Sequence, residues 1–332
     1  MMTASLRRAA VLLSIVLLVI FSGCGRKTEE GRLKPLTIAM QEWVGYGPLY
    51  LAKDKGFFRD EGVEVIFVDE QLDSARSEAF KEGMLDCEAG TIDLLISKRS
   101  RGAPVVAVME LDHSDGADGI VAVQDIRTLE DLVGKRVALS WDDVGQTLLS
   151  YFLYKKGMLL DKVVVVSRRP DEVDEAFLSG EADAVATWEP HLSHALKRPG
   201  SHLLLSSKDA PDTIVDTLNV REDLIKNDPQ AVRALMRGWF RALKYYREHP
   251  AEASAIIAPY YKMSAEQYRK DVKGLRWIDY ADQAAAGESD RLLATFNAIN
   301  EIKFLSKRIP EKQDPGKAIN TTLLKGLHED IK

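Results

Sequence analysis

From residue 36 onward the chain alternates short apolar runs of strand character with stretches of helical period, a pattern that predicts parallel sheets made of β-α units and argues against a sandwich or a helix bundle. Residues 36–40 read as a strand and 41–47 as a loop; Pro48 takes the first-turn position that helices favour, and Gly56 ends the turn. A second strand is predicted at 63–68, helices at 74–82 and 92–98, and a buried strand at 105–109 that enters a loop at 111–118. After an apolar stretch at 119–123, residues 136–139 read as a strand and 145–156 as a helix stopped by Gly157. The unit repeats at 163–166 with 171–179, and at 184–187 with a helix through Leu192 and Leu196. Beyond 216–220 the chain turns helical. Its longest stretch, 229–248, carries Val232, Leu235, Trp239, Leu243 and Tyr246 at three- to four-residue spacing, which is a core-facing stripe. Later helices are expected at 251–257, 265–273, 290–303 and 318–328.

The beginning of the chain sets the compartment. Arg7 and Arg8 precede an apolar run of roughly 13 residues, short of the ~20 needed to cross a bilayer. Ser22-Gly23-Cys24 ends it, so residues 1–23 read as a secretory signal that is cut off. This junction resembles the bacterial lipobox, which implies that Cys24 is diacylated and becomes the new N-terminus, although Phe21 stands where that motif prefers an aliphatic residue. Residues 24–34 are then a lipidated end and a charged tether, poor in apolar side chains. With Cys24 carrying lipid, Cys87 has no partner, and a disulfide framework or multi-cysteine metal site is excluded. The formal net charge is -6, and loss of Arg7 and Arg8 makes it more negative, which disfavours nucleic acid as a partner.

A set of segments carries a family resemblance. Glu42-Trp43-Val44-Gly45-Tyr46-Gly47-Pro48, then Gly56-Phe57-Phe58, Gly83-Met84-Leu85-Asp86, residues 111–118, Leu132-Gly134-Lys135, and Gly180-Glu181-Ala182-Asp183 leading to Trp188-Glu189-Pro190 resemble, in this order, the binding proteins of ABC importers of the nitrate, sulfonate and taurine type. No single piece is specific, but together they span essentially the whole mature chain. The resemblance implies an α/β, two-lobed periplasmic-binding-protein fold of the second type with C-terminal helices. The first lobe would comprise 35–120 and 219–332 and the second 121–218, with crossings near 120–125 and 217–221. It also implies a monomer in the periplasm or on the outer face of the cell membrane, where a permease and its ATPase receive the solute.

In open sheets of this kind ligands bind beyond the carboxyl ends of the strands, and four loops qualify. Trp43 and Tyr46 offer flat faces with a polar edge, unless one of them packs under the sheet. Ser114, Asp115 and Gly116 can exchange hydrogen bonds with a ligand or satisfy their own turn. Asp142, Gly145, Gln146 and Thr147 open a helix whose free N–H groups favour an anion; one of Asp142 and Asp143 is expected to cap it, and the other, if it faces the cleft, would attract an amine. Trp188 and Glu189 begin the last helix of the second lobe, where Glu189 either meets the ligand or stabilises the helix start. These loops hold no lysine or arginine but do hold Glu42, Asp115, Asp118, Asp142, Asp143 and Glu189, which favours a ligand with a donor group, an amino-sulfonate or a nitrogen heterocycle, over a bare anion.

Asp112-His113-Ser114-Asp115 does not read as a hydrolase triad, because triad members converge from different elements while neighbours in an extended segment point apart. His191 and His194 share helical spacing, but no zinc-protease pairing accompanies them and no metal is expected. No nucleotide-binding glycine signature is present in the required setting, so no cofactor is expected. Two alternatives share the fold: enzymes that make the pyrimidine precursor of thiamine, and anchored sensors. The former resemble this chain but carry a cysteine-rich iron-binding run that it lacks.

Overall fold

The structure, a computed structural model, describes residues 35–285 and 288–327. The expected leader and tether, with Cys24, and His328 lie outside the described residues. Within them run eleven strands: β1 (Leu36–Met40), β2 (Val65–Asp69), β3 (Cys87–Thr91), β4 (Val105–Ser114), β5 (Asp118–Val123), β6 (Arg136–Leu139), β7 (Val164–Ser167), β8 (Ala184–Trp188), β9 (Ser201–Ser206), β10 (Val215–Arg221) and β11 (Leu275–Trp277). They form two sheets, ordered β11-β4-β10-β3-β1-β2 and β7-β6-β8-β5-β9.

The sheets are mixed and not purely parallel. Strands β1, β2 and β3 pair in parallel, as do β6, β7 and β8. Strand β10 runs against β3 and β4, and β5 runs against β8 and β9. The chain enters β5 and β10 directly from the other sheet, without the crossover helix that would restore the parallel direction, and β11 adds a third reversed strand against β4.

The passages between sheets lie at 115–117 and 207–214, several residues away from the crossings expected at 120–125 and 217–221. Ile120 and Thr217 instead sit inside strands and are buried. The expected loop at 111–118 is also largely strand, because β4 is paired on both sides, by β10 and β11, and the ladder carries it on to Ser114. The two passages are stitched to each other: the Ser114 and Ser207 hydroxyls are 2.7 Å apart, and the Gly116 N–H donates to Ser207 Oγ at 2.6 Å.

Six helices frame the strand ends and the core behind them: α1 (Gly47–Asp54), α2 (Asp73–Lys81), α3 (Ile92–Ser100), α4 (Val144–Lys155), α5 (Pro229–Glu248) and α6 (Glu288–Leu305). The stripe predicted on α5 is buried at every position from Val232 to Tyr246. Helix α6 packs against both α3, behind the first sheet, and α4, behind the second, and so forms a third tie between them. The final helix expected at 318–328 is replaced by short turns at Pro315–Ala318 and Thr321–Leu324, where Asn320 accepts from the Thr322 N–H and breaks the run. Cys87 is buried and free.

Candidate functional site

The carboxyl ends of β1, β2, β6 and β7 face one another, and their loops enclose a cavity of about 60 Å³ lined by residues that include Gln41, Gln71 and Asp73 on one side and Ser140, Asp143 and Pro170 on the other. The first of these loops is held rigidly. Tyr261 and Tyr268 donate their hydroxyls to the carbonyls of Trp43 and Val44 at 2.7 and 3.0 Å, and the Trp277 indole donates to Gly45 at 2.8 Å. Gly45 is required by close approach, since a Cβ there would sit 2.4 Å from Asp112 Oδ2 and 2.2 Å from Trp43 Nε1.

The first side of the site is strongly ionic. Arg76 Nε lies 2.7 Å and Lys98 Nζ 2.9 Å from Glu88 Oε1, and Lys98 also pairs with Asp73, all four groups being buried. Burial pushes the Asp73 carboxyl up, but Lys98 and Arg76 more than offset it and hold it below the usual range. Lys303, from α6, lies 3.3 Å from Asp93. Thus the loops lack cations, as the sequence indicates, yet the site does not: α2, α3 and the C-terminal region supply them from behind. Their signal was present in Arg76 and Lys98, charged residues set on short helices directly beside strand ends, but only the packing shows that they point inward.

Three contacts bridge the two sides. The Thr147 hydroxyl donates to Asp93 Oδ2 at 2.7 Å, the Trp188 indole donates to the Glu42 carbonyl at 2.8 Å, and Asp142 accepts from Arg101 and Arg308, each at 2.9 Å. Asp142 reaches both guanidinium groups from a left-handed backbone (φ 54), a conformation that Asp tolerates better than most residues. The Arg308 guanidinium also covers the Trp141 ring at 4.7 Å.

Geometry decides between the two aspartates at the start of α4. Asp143 is the N-cap, accepting from the Val144 N–H at 2.8 Å, while Asp142 spans the cleft. Gly145 serves packing, because a Cβ would meet the Ala186 carbonyl oxygen at 2.4 Å, and the Gln146 side-chain oxygen accepts from the Asp142 N–H at 2.8 Å.

Several expected ligand groups already have protein partners. Trp43 is buried and donates its indole to Asp112 at 3.1 Å, and the Tyr46 hydroxyl donates to Asp216. Asp115 is exposed, its N–H donating to the Gly274 carbonyl at 2.7 Å, and the Gly116 N–H and Ser114 hydroxyl meet Ser207. Of the two roles expected for Ser114, Asp115 and Gly116, contact with a ligand or satisfaction of their own turn, the bonds seen here belong to the second. They build the passage between sheets, because β4 runs on to Ser114 and carries the turn out of the cleft. Glu189 accepts from the Ser193 N–H and hydroxyl at 3.0 and 2.8 Å, the helix-stabilising role; burial still raises its pKa, against those two donors.

Two buried acids that the count of loop carboxylates leaves out, Asp112 and Asp216, complete the centre. Asp112 and Asp216 are register partners on β4 and β10, so their side chains share a face, and Asp118 pairs in register with Trp188 across β5 and β8. Burial raises the pKa of each: of Asp112 against the indole bond from Trp43, of Asp118 against its bond with Ser114, and of Asp216, further raised by Asp112, against its bond with Tyr46. Asp143 is pushed by burial up to about 7. Asp216 could have been suspected from a lone acid at the head of an apolar strand; Asp112 was hidden in a segment read as loop.

Along β4 the side chains diverge: Asp112 faces Trp43, His113 lies 2.5 Å from Glu110 and 2.9 Å from Asp212, and Ser114 meets Ser207. His191 and His194 both bond Asp174, the former at 3.2 Å.

The chain is 24% identical, over 97% of its length and 98% of the other's, to a Bacillus subtilis (strain 168) protein named for the binding of aliphatic sulfonates. It is 26% identical, over 63% of its length and 65% of the other's, to the 4-amino-5-hydroxymethyl-2-methylpyrimidine phosphate synthase of Candida albicans (strain WO-1). The periplasmic aliphatic sulphonate binding protein SsuA of Escherichia coli superimposes with a TM-score of 0.72 at 19% identity, covering 87% of this chain and 92% of that one. The two-sheet architecture with C-terminal helices is thus the periplasmic-binding-protein fold expected from the sequence. A profile of the NMT1/THI5 like family matches residues 43–253, which include both passages between sheets and the whole second sheet, and the chain belongs to that family.

Proposed function

We propose that this protein is the extracytoplasmic solute-binding component of an ABC importer, holding a small polar molecule between two lobes and releasing it unchanged. The observation that carries the reading is that side chains of both sheets meet at the carboxyl ends of the strands through Thr147–Asp93, Trp188–Glu42 and Asp142 with Arg101 and Arg308. Such contacts exist only when the lobes are shut, and the passages at 115–117 and 207–214 are short enough to act as a hinge. The relative named for sulfonate binding, aligned over nearly the full length, supports a transport role over the synthase alternative.

Trp43→Ala is a poor probe of this site, because the ring is buried and bonded to Asp112. Trp188→Phe keeps an aromatic ring and deletes the donor to Glu42. It is expected to weaken saturable binding of a solute from a panel of taurine, ethanesulfonate, nitrate and 1,4-diaminobutane by about tenfold, the worth of one buried hydrogen bond, with a modest fall in melting temperature and retention of the fold. Unchanged affinity in titration calorimetry would remove Trp188 from the site.

The anchor belongs to the same reading. Cells fed labelled palmitate are expected to label the wild type and not Cys24→Ser, and an unlabelled wild type would mean cleavage and release.

A further inference from the structure

We infer that the closed cleft takes a cationic group, an organic ammonium, amidinium or guanidinium, at the acid cluster of Asp112 and Asp216 from the first sheet and Asp118 and Asp143 from the second, of which Asp143 lines the enclosed cavity. The inference rests on the proposed capture of a solute between the lobes and names the chemistry of that solute.

The four carboxyl groups are buried, at 0%, 2%, 1% and 3% exposure respectively. They come from both sides of the closure and act on one another: Asp118 feels Asp216 and Asp143, Asp112 feels Asp118, and Asp216 feels Asp112. Among the described residues none of them pairs with a lysine or arginine. The nearby cations are committed elsewhere, Arg76 and Lys98 to Glu88 and Asp73, and Lys303 to Asp93. Arg76 and His113 draw down Asp143 and Asp216 only from a distance.

The second observation is of unmet hydrogen-bonding capacity. Asp118 Oδ2 and Asp143 Oδ2 are buried with no hydrogen-bond partner. A carboxylate oxygen left this way costs about 1–3 kcal/mol or more, and native proteins rarely leave one without a reason. Two of them, on the same lobe and facing two further acids on the other, are what a multi-donor cation would satisfy on entering. A sulfonate or nitrate placed there would face four acceptors and gain no donor from them.

The direction of proton exchange discriminates the two ligand charges. Acids whose pKa is raised by burial are partly protonated near neutrality; a cation favours their ionised form and expels protons, whereas an anion favours the neutral form and takes protons up. The test is titration calorimetry of the mature protein at about pH 6 and about pH 8, in buffers of different ionisation enthalpy, with 1,4-diaminobutane, agmatine and benzamidine as cations and ethanesulfonate and nitrate as control anions. The expected result is one-site binding of a cation with proton release and an affinity rising about tenfold or more between the two pH values. Asp118→Asn and Asp143→Asn, which keep the side-chain shape, are expected to abolish the proton release and weaken binding by about tenfold or more. A site filled by a control anion with proton uptake overturns the inference and leaves the capture reading standing. Silence of every cation overturns it as well. Chemical conversion of a bound probe would instead overturn the capture reading. The proton-release measurement on the wild type decides the matter even if a variant fails to fold.

Discussion

Replacing Lys98 with methionine is expected to cost the protein about 3–5 kcal/mol of stability, read as a lower midpoint in urea unfolding with an unchanged slope. The ammonium is fully buried and lies 2.9 Å from Glu88, itself fully buried, while also pairing with Asp73. Methionine fills the space but leaves two carboxylates sharing only the Arg76 and Arg101 guanidinium groups. The penalty is the exposure of buried negative charge to itself, so adding Glu88→Gln should restore part of the loss. A cost below about 1 kcal/mol would mean that the buried network is dispensable, contrary to the distances.

The second large effect is on pH. The Asp143 carboxyl, held by burial at about 7, binds a proton more tightly in the folded chain than in the unfolded one. Its protonated form therefore stabilises the fold fully below the unfolded value of about 3.9, and that contribution is lost as pH rises through about 7. A shift of this size corresponds to about 4 kcal/mol for the ligand-free protein, and Asp118 and Asp216 act in the same direction. Asp73 acts oppositely: its carboxyl is held below the usual range, so its contribution is present above the unfolded value and lost in stronger acid. Stability without ligand should thus peak in mild acid and fall towards about pH 8, and Asp143→Asn should flatten the fall and raise the midpoint at the alkaline end. A wild type that gains stability from mild acid to about pH 8 would contradict the burial of these groups.

Much of the architecture was legible because it rests on local signals. The 3.6-residue stripe of α5 marked a helix packed on the core, and glycines after strands and helices marked the unit boundaries. The strand directions were less legible. Nothing in the residues of β10 distinguishes a strand that runs against its neighbours, since direction depends on where the chain came from and not on which residues it carries. The extent of β4 was hidden for a similar reason: Asp112, His113 and Ser114 are polar, and only pairing on both edges makes strand the favourable state for them.

The site was legible in its parts and not in its charge. The loops carrying Trp188, Asp142 and Thr147 do meet the opposite lobe. Counting charges within those loops gave an acidic site without cations, whereas Arg76, Lys98 and Lys303 arrive from helices far away in sequence and neutralise Asp73, Glu88 and Asp93. What remains acidic after that pairing is a different set, Asp112, Asp118, Asp143 and Asp216, of which Asp112 and Asp216 were not among the acids counted in the loops. Ion pairing in three dimensions, and not composition, decides which charges are left for a ligand.

Reversible closure of the two lobes on a small solute that leaves as it came can be read from tryptophan fluorescence. The mature protein is titrated with the amine, amidine, sulfonate and nitrate panel, and the released compound is recovered and its mass determined. Reversible capture predicts a saturable one-to-one change, sensitive to Trp188→Phe, with the compound recovered intact. A compound that comes back altered, or a panel that produces no saturable change at all, would refute it.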